Sequence, residues 1–152
     1  MDEGRFMGFI ISKHGMQVEH ERTKVISKIH PSHKKKAMQS FLRMINFVRR
    51  FIPSFVETVK PLQDMIKKNV EFRWGSKEKL DFDKIKEDIV QAPTLLSPYF
   101  DWDFILYTFS SHTEFVVVLT QKKSEGDTFP MAFMSLGLQG AEINYPEADK
   151  QE

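Results

Sequence analysis

An apolar stripe with spacings of three and four residues runs from residue 38 to residue 52 and predicts an amphipathic helix. Its members are Met38, Phe41, Leu42, Ile45, Val48 and Ile52. A polar and basic stripe occupies the opposite side, with Arg49 at its edge, and comprises Lys36, Gln39, Arg43, Asn46 and Arg50. Ser32 is the expected N-cap of this helix, and Pro53 is expected to end it.

Three further helices are predicted around this one. Residues 21–29 form a short, weakly amphipathic pattern that ends before Pro31. A helix is expected to start at Pro61, because proline suits the first helical turn. A third helix is expected from Ser76 to residue 91. Its inward positions are Leu80, Phe82, Ile85 and Ile89. Between these last two helices, residues 70–74 alternate in the manner of a short strand.

Strand patterns lie at the two ends of the chain. Residues 6–12 predict one strand, which turns at residues 13–15 and returns over residues 16–18 as a hairpin. After Pro93, runs at residues 104–110, 115–121 and 129–136 predict an antiparallel meander, with a turn over residues 122–128. The β-branched run at residues 116–119 is typical of a buried strand. The order predicts an α+β fold with units at residues 1–18, 19–92 and 93–152.

Composition narrows the classes of function. The chain has 152 residues and no cysteine, which excludes disulfides and thiolate metal sites. No apolar run reaches the roughly 18–20 residues that a membrane helix needs. The N-terminus lacks the pattern of a signal peptide, so an intracellular, non-secreted protein without a membrane partner is expected.

The net charge of +1 conceals an asymmetry between the two halves of the chain. Residues 20–70 hold twelve Lys and Arg against three Asp and Glu, a balance of +9. Residues 71–152 hold eight against fifteen, a balance of −7. The first of these segments can therefore meet a polyanion such as a nucleic acid, while two solvated faces of opposite sign are the plain alternative.

Several collinear segments resemble the reverse transcriptases of gypsy-type LTR retrotransposons. Residues 39–55, QSFLRMINFVRRFIPSF, are similar to the thumb segment of that family. Residues 6–12, FMGFIIS, resemble the primer-grip hairpin, and residues 59–69 resemble the run after the thumb helix. Residues 95–121 and 129–135 resemble the first three strands of the attached ribonuclease H domain. The resemblance implies a primer-grip-like hairpin, a helical thumb-like subdomain and the front of an incomplete ribonuclease H-like fold.

The same resemblance implies that the catalytic residues of the family are missing here. The polymerase carboxylates are expected upstream of this chain, on the palm. The first metal-binding Asp of ribonuclease H falls at Phe109, and the Glu of the following helix aligns with Gln151. Hydrocarbon and amide groups replace the carboxylates that Mg²⁺ prefers. Glu114 is considered as a substitute ligand and set aside, because it is expected in a turn. We expect no metal bound by this chain, with Mg²⁺ belonging to the intact parent enzyme.

Binding residues are expected to persist where catalytic ones do not. The stripe implies weak, non-specific contact with the backbone of an RNA–DNA or DNA duplex. The expected nucleic-acid-binding residues are Lys35, Lys36, Gln39, Arg43, Asn46, Arg49 and Arg50. Arg43 stands where the family has glycine, so it either adds a phosphate contact or blocks close approach. The primer-grip-like residues are Phe6, Met7 and Gly8.

The resemblance therefore predicts a catalytically dead fragment of an RNA-directed DNA polymerase and ribonuclease H. Two alternatives to this prediction stay open. One is a domesticated scaffold that binds proteins, the rest of the polyprotein or itself through exposed Phe and Met residues of the meander, with Phe133 as the test position. The other is ribonuclease H activity completed by another chain.

Overall fold

The computed structural model describes residues 3–122 and 126–140. It contains two three-stranded antiparallel sheets, β1-β2-β3 and β4-β5-β6, with the helices between them in sequence. The first sheet comprises β1 (Glu3–Phe6), β2 (Phe9–Ser12) and β3 (Gly15–Val18). The helices are α1 (His20–Ser27), α2 (Lys35–Ile45), a 3-10 helix (Asn46–Phe51), α3 (Phe55–Met65) and α4 (Ser76–Val90). The second sheet comprises β4 (Phe104–Ser110), β5 (Glu114–Lys122) and β6 (Thr128–Gly137). The predicted α+β class is confirmed.

The first sheet has one strand more than the predicted hairpin. Met7 and Gly8 both adopt positive φ, at 50° and 86°, and turn the chain so that Phe6 pairs with Phe9. The expected single strand over residues 6–12 is therefore wrong, because this tight turn divides it. The predicted turn at residues 13–15 and the return strand are confirmed.

A close backbone approach connects the first sheet to the segment before β4. Met16 and Leu95 exchange two backbone hydrogen bonds of 2.8 Å. Gly15, at φ 143°, permits this approach, because a Cβ there would lie 2.1 Å from the Leu95 carbonyl oxygen. The glycine is thus required both by its own conformation and by its neighbour.

The predicted apolar stripe forms the centre of the helical core. Leu42 is half-buried and the other five members are buried, so the prediction of this face is confirmed. The helix begins at Lys35, and Ser32 instead accepts a hydrogen bond from the Lys34 N–H (3.3 Å) in the preceding turn. From Asn46 onward the helix tightens to 3-10 geometry. Residues three apart then share a face, which keeps both Val48 and Phe51 fully buried.

Helix α3 begins six residues before the predicted start. Its buried positions are Phe55, Val59, Leu62 and Met65, which follow helical spacing from the first residue onward. Pro61 therefore lies inside the helix, where a missing N–H ordinarily costs about 3 kcal/mol. Burial of this apolar face outweighs the local preference that pointed to Pro61 as the first residue.

The approach to α4 corrects two expectations. Residues 70–74 form no strand; Phe72 and Trp74 pack instead on the core, and the Trp74 ring lies 5.7 Å from that of Phe82. Helix α4 begins after Gly75, whose N–H donates to the Glu78 carboxylate (3.0 Å). Leu80 is 70% exposed, because it lies ~200° around the helix from buried Phe82.

The second sheet contains the three predicted strands; β4 has the predicted bounds, and β5 and β6 are each one residue longer at both ends. Val116 of β5 pairs with Phe109 of β4. The pairing of β5 with β6 shifts register between Leu119 and Thr120, opposite Pro130, which has no N–H to donate. Residues 116–119 are half-buried, so the prediction of a fully buried strand is wrong for the described residues. One face of the sheet, called here the open face, carries exposed apolar side chains: Phe104, Leu106, Phe129, Met134 and Leu136.

The corner that precedes β4 closes one end of the open face. Gln121 is fully buried, and its amide oxygen accepts from the Tyr99 N–H (2.9 Å). Its amide nitrogen donates to the carbonyls of Tyr99 (2.8 Å) and Trp102 (3.2 Å). The rings of Tyr99 and Trp102 stack 4.6 Å apart. No helix among the described residues has the length and apolar character needed to cross a membrane.

Candidate nucleic-acid interface

A groove runs between α2 and α3 on the side away from the core. Its volume is about 520 Å³. Buried Phe55 and Val59 contribute to its apolar lining, and polar groups from both helices complete it. The lining residues are Gln39, Leu42, Arg43, Asn46, Phe55, Val59, Gln63 and Ile66. The arrangement offers a shallow apolar surface bordered by the three side-chain amides of Gln39, Asn46 and Gln63 and by the Arg43 guanidinium.

Three of the predicted binding residues meet in this groove. Gln39, Arg43 and Asn46 follow one another at spacings of four and three, which places them on one face of α2 and the first turn of the 3-10 helix. Arg43 and Asn46 are exposed and Gln39 is half-buried. Gln63 of α3 lies across the groove from them. It was not predicted, because the residues near it in the sequence do not indicate that it lines a binding groove.

The cations along this side are available to a ligand. Lys36, Arg43 and Arg50 are all exposed. Within residues 3–122 and 126–140, their charged groups take part in no salt bridge or side-chain hydrogen bond. Asp64 on α3 is neutralised by Lys67, at 2.6 Å. The uncompensated charge therefore points to an anionic ligand.

Lys35 has a structural contact that the sequence did not indicate. Its ammonium group donates to the backbone carbonyl of Lys67, beyond the end of α3. This bond joins the start of α2 to the end of α3. It also brings the exposed lysines of two distant segments to one end of the groove, namely Lys34, Lys36, Lys67 and Lys68.

Arg49 points away from the groove and contacts the second sheet. Its Nη2 donates to the Ser135 carbonyl oxygen at 3.0 Å. Its expected role as a duplex contact receives no support from this position.

Glu114 lies at the junction between α3 and the second sheet. It is the first residue of β5 and only 1% exposed, and its carboxylate accepts from the Glu57 N–H (3.4 Å) and interacts with Ser135. Burial raises the pKa of the Glu114 carboxyl, while the backbone and hydroxyl hydrogen bonds oppose the rise. The expected position in a turn is wrong, and the carboxylate is engaged by the helix rather than open to a cation.

Phe109, which the sequence resemblance aligned with a metal-binding Asp, lies in β4 opposite Val116 and is 55% exposed. No group of three or more His, Asp or Glu side chains in the described residues is placed to hold a metal ion. Gln151 lies outside the described residues.

The primer-grip-like residues form the β1–β2 turn. Phe6 and Met7 are 62% and 75% exposed. The Gly8 carbonyl accepts from the Glu19 N–H at 3.0 Å, and a Cβ at Gly8 would lie 2.6 Å from the Arg22 guanidinium. That guanidinium also lies over the Phe47 ring at 4.8 Å, so the turn is packed against α1 and the 3-10 helix.

The part of the chain that contains α4 and the second sheet shows the class of protein. The model of the family described as the RNase H-like domain found in reverse transcriptase matches residues 74–151, more than half of the chain. The chain belongs to this family of RNase H-like domains of reverse transcriptases.

Particular relatives agree with the class. The transposon Tf2-3 and Tf2-4 polyproteins of Schizosaccharomyces pombe are each 27% identical to the chain over 147 residues, or 97% of its length. The chain spans 11% of the length of these polyproteins. The predicted origin in the reverse transcriptase and ribonuclease H region of a retrotransposon polyprotein is thereby confirmed.

Solved structures share the fold. The foamy viral protease-reverse transcriptase in complex with double-stranded DNA superimposes with a TM-score of 0.82 and 24% identity, over 98% of this chain and 26% of that one. The same viral protein in complex with an RNA/DNA hybrid gives a TM-score of 0.81 and 24% identity, over 99% and 20%.

Proposed function

We propose that this chain is a fragment of a retrotransposon reverse transcriptase that grips an RNA–DNA or DNA duplex through the groove between α2 and α3. The observation that carries the proposal is the set of exposed, uncompensated cations Lys36, Arg43 and Arg50 on α2 and the 3-10 helix, of which Arg43 lines the polar groove. Complexes of the foamy viral neighbours with duplex DNA and with an RNA/DNA hybrid support the same choice of ligand.

The length of the cationic line suits a duplex backbone. Lys36 and Arg50 are fourteen residues apart, which corresponds to about 23 Å at the α-helical rise up to Asn46 and the 3-10 rise after it. A duplex presents one phosphate per ~1.7 Å of axis, so about thirteen phosphates lie within that span. Three cations can therefore each meet a phosphate without reading the base sequence. Weak, salt-sensitive and sequence-independent binding follows.

Arg43 supplies one of these phosphate contacts in our proposal. Its guanidinium is exposed at the groove and unpaired among the described residues. Arg43→Gly separates the two roles left open by the sequence. Loss of affinity on this substitution supports a contact, whereas a gain of affinity indicates that the side chain obstructs the duplex.

Catalysis is not expected from this chain alone, and we propose that it holds no Mg²⁺. The phenyl ring of Phe109 cannot ligate a hard cation, and Glu114 is buried against α3. For ribonuclease H activity, another chain would have to supply the missing ligands. A cleavage assay on an RNA–DNA hybrid with and without Mg²⁺ tests this, and Mg²⁺-dependent cleavage by the purified chain would overturn it.

The binding test is a fluorescence anisotropy titration of a labelled DNA duplex at several salt concentrations. A triple variant, Lys36→Gln, Arg43→Gln and Arg50→Gln, removes the cationic line. Three lost phosphate contacts reduce the slope of log K against log salt by about 2.7, at ~0.9 per contact. A matched triple variant on exposed residues outside the groove, Arg73→Gln, Lys77→Gln and Lys79→Gln, removes the same net charge and leaves the slope nearly unchanged. Equal effects of the two variants, or no wild-type affinity at low salt, would refute the proposal.

Self-association is the second candidate function, and the open face of the second sheet favours it. Leu106, Met134 and Leu136 are each about half exposed or more on that face. Both β4 and β6 are edge strands in the described sheet, so a second copy of this chain is the partner that we propose. Phe133, the position predicted for the test, is half-buried on the opposite face and is the wrong probe.

Sedimentation velocity over a concentration series tests self-association. Met134→Lys on the open face abolishes it in this proposal, while Lys122→Gln at the end of β5 serves as the control. A wild-type chain that stays monomeric throughout the series would remove the second candidate.

A further inference from the structure

Three polar contacts connect the helical core to the second sheet, and we call this set the clasp. The Ser135 hydroxyl accepts from the Val56 N–H at 3.1 Å, and the Glu114 carboxylate accepts from the Glu57 N–H at 3.4 Å. The third contact is the Arg49 guanidinium on the Ser135 carbonyl at 3.0 Å. Glu114 and Ser135 are 1% and 3% exposed, so the two sheet residues of the clasp are shielded from water.

The clasp supplies hydrogen-bond acceptors that the residues next to the start of α3 do not provide. The first N–H groups of a helix have no partner within the helix and need acceptors from elsewhere. Ser54 stands at the N-cap position in a left-handed conformation, φ 51°, and its side chain makes no capping bond. Val56 and Glu57 are therefore capped by residues 79 and 57 positions away in sequence. A carboxylate is also well placed there, beside the positive end of the helix dipole.

Directional bonds define an orientation more tightly than apolar contact does. Apolar packing is roughly proportional to buried area and has no preferred direction. The clasp combines two acceptor residues on neighbouring strands, Glu114 and Ser135, with one side-chain donor from the 3-10 helix, Arg49. Gly137 adds a close approach, since a Cβ there would lie 3.2 Å from Val56 Cγ1. Together these contacts tie one helix end and the preceding 3-10 helix to two adjacent strands.

We propose that the clasp sets the orientation of α2 and α3 relative to the second sheet, with Glu114 and Ser135 as positioning residues. The charged groups that face Glu114 are Glu57 on α3, which opposes its ionisation, and Arg49 of the 3-10 helix on the neighbouring Ser135. The proposal concerns orientation and is independent of nucleic-acid binding.

Distance measurement between spin labels tests the proposal directly. The chain has no native cysteine, so Lys60→Cys on α3 and Lys122→Cys on β5 accept labels without competing thiols. Both positions are exposed. The parent chain shows one narrow distance distribution. The double variant Glu114→Ala and Ser135→Ala broadens it at least twofold, while the far-UV circular dichroism of the helices is retained.

Conservative variants separate positioning from a general loss of stability. Glu114→Gln keeps an oxygen that can accept from the Glu57 N–H, so it preserves the narrow distribution. Ser40→Ala removes a hydroxyl that bonds only within its own helix, to Lys36, and also leaves the width unchanged. If the double variant does not fold, Ser135→Ala alone carries the test. A double alanine variant, or Ser135→Ala in its place, that folds and retains the parental distance distribution would overturn the proposal.

Discussion

Helix α4 provides a sharp test of the packing, because two of its apolar residues have opposite environments. Phe82 is 1% exposed, and its ring lies 4.5 Å from that of Phe41 and 5.7 Å from that of Trp74. The Lys86 ammonium lies 5.0 Å from the centre of the same ring. Leu80 is 70% exposed on the other side of the helix. Phe82→Ala and Leu80→Ala should therefore differ greatly in their effect on the free energy of unfolding.

The expected magnitudes follow from burial. Truncation of a buried Phe to Ala costs about 3–5 kcal/mol, which includes the cavity and the lost ring contacts. That is a large share of the ~5–15 kcal/mol that stabilises a typical domain. Leu80→Ala removes little buried surface and keeps a good helix former, so its effect stays within about 0.5 kcal/mol.

Urea denaturation measures both variants, with the fluorescence of the two tryptophans and far-UV circular dichroism as probes. With an m-value of about 2 kcal/mol/M, Phe82→Ala lowers the midpoint by roughly 2 M and Leu80→Ala leaves it almost unchanged. Coincident transitions of the two probes are needed for this comparison. A similar loss of stability in both variants would refute the assignment of the inner face of α4.

Three other substitutions test contacts that only the fold creates. Gly15→Ala places a Cβ against the Leu95 carbonyl at 2.1 Å and should lower stability by more than ~2 kcal/mol, measured by thermal unfolding. Gln121→Glu replaces the amide nitrogen that donates to the Tyr99 carbonyl with an oxygen that can only accept, so this hydrogen bond is lost. The near-UV circular dichroism signal from the aromatic residues of the corner should therefore weaken. An unchanged spectrum would contradict the assigned bonds. Burial raises the pKa of Glu114, so the folded state binds its proton more readily than the unfolded chain. The stabilisation of the folded state by this proton is complete at pH values below the ordinary glutamate pKa. It is lost as the pH rises through the raised pKa of Glu114 in the folded state. Glu114→Gln should remove that pH dependence from urea midpoints, and an identical pH profile in the variant would exclude Glu114 as its source.

Local periodicity was sufficient for most of the fold. The helical stripe from Met38 to Ile52 and the strand runs after Pro93 depend on spacing between near neighbours, and the structure confirms both. The errors lie where a distant contact overrides a local preference. Pro61 is a good first helical residue by itself, yet the buried face of α3 extends the helix six residues before it.

The candidate interface shows the same division between local and distant information. Gln39, Arg43 and Asn46 were predicted together, since spacings of three and four place side chains on one helical face. Their partner Gln63 was not predicted, because the second wall of the groove comes from another helix. Arg49 was assigned to the duplex from its place at the edge of the stripe, whereas its guanidinium donates to the Ser135 carbonyl oxygen, 86 residues away in sequence.

By itself the sequence determined the family, the α+β class and the basic stripe, because each is written in the order and spacing of residues along the chain. Only the tertiary structure decided which cations remain unpaired, where the groove lies, and that Glu114 caps α3. The physical reason is distance along the sequence, because a hydrogen bond between residues 57 or 79 positions apart produces no periodic pattern of residue types. Such contacts appear only when packing brings the segments together.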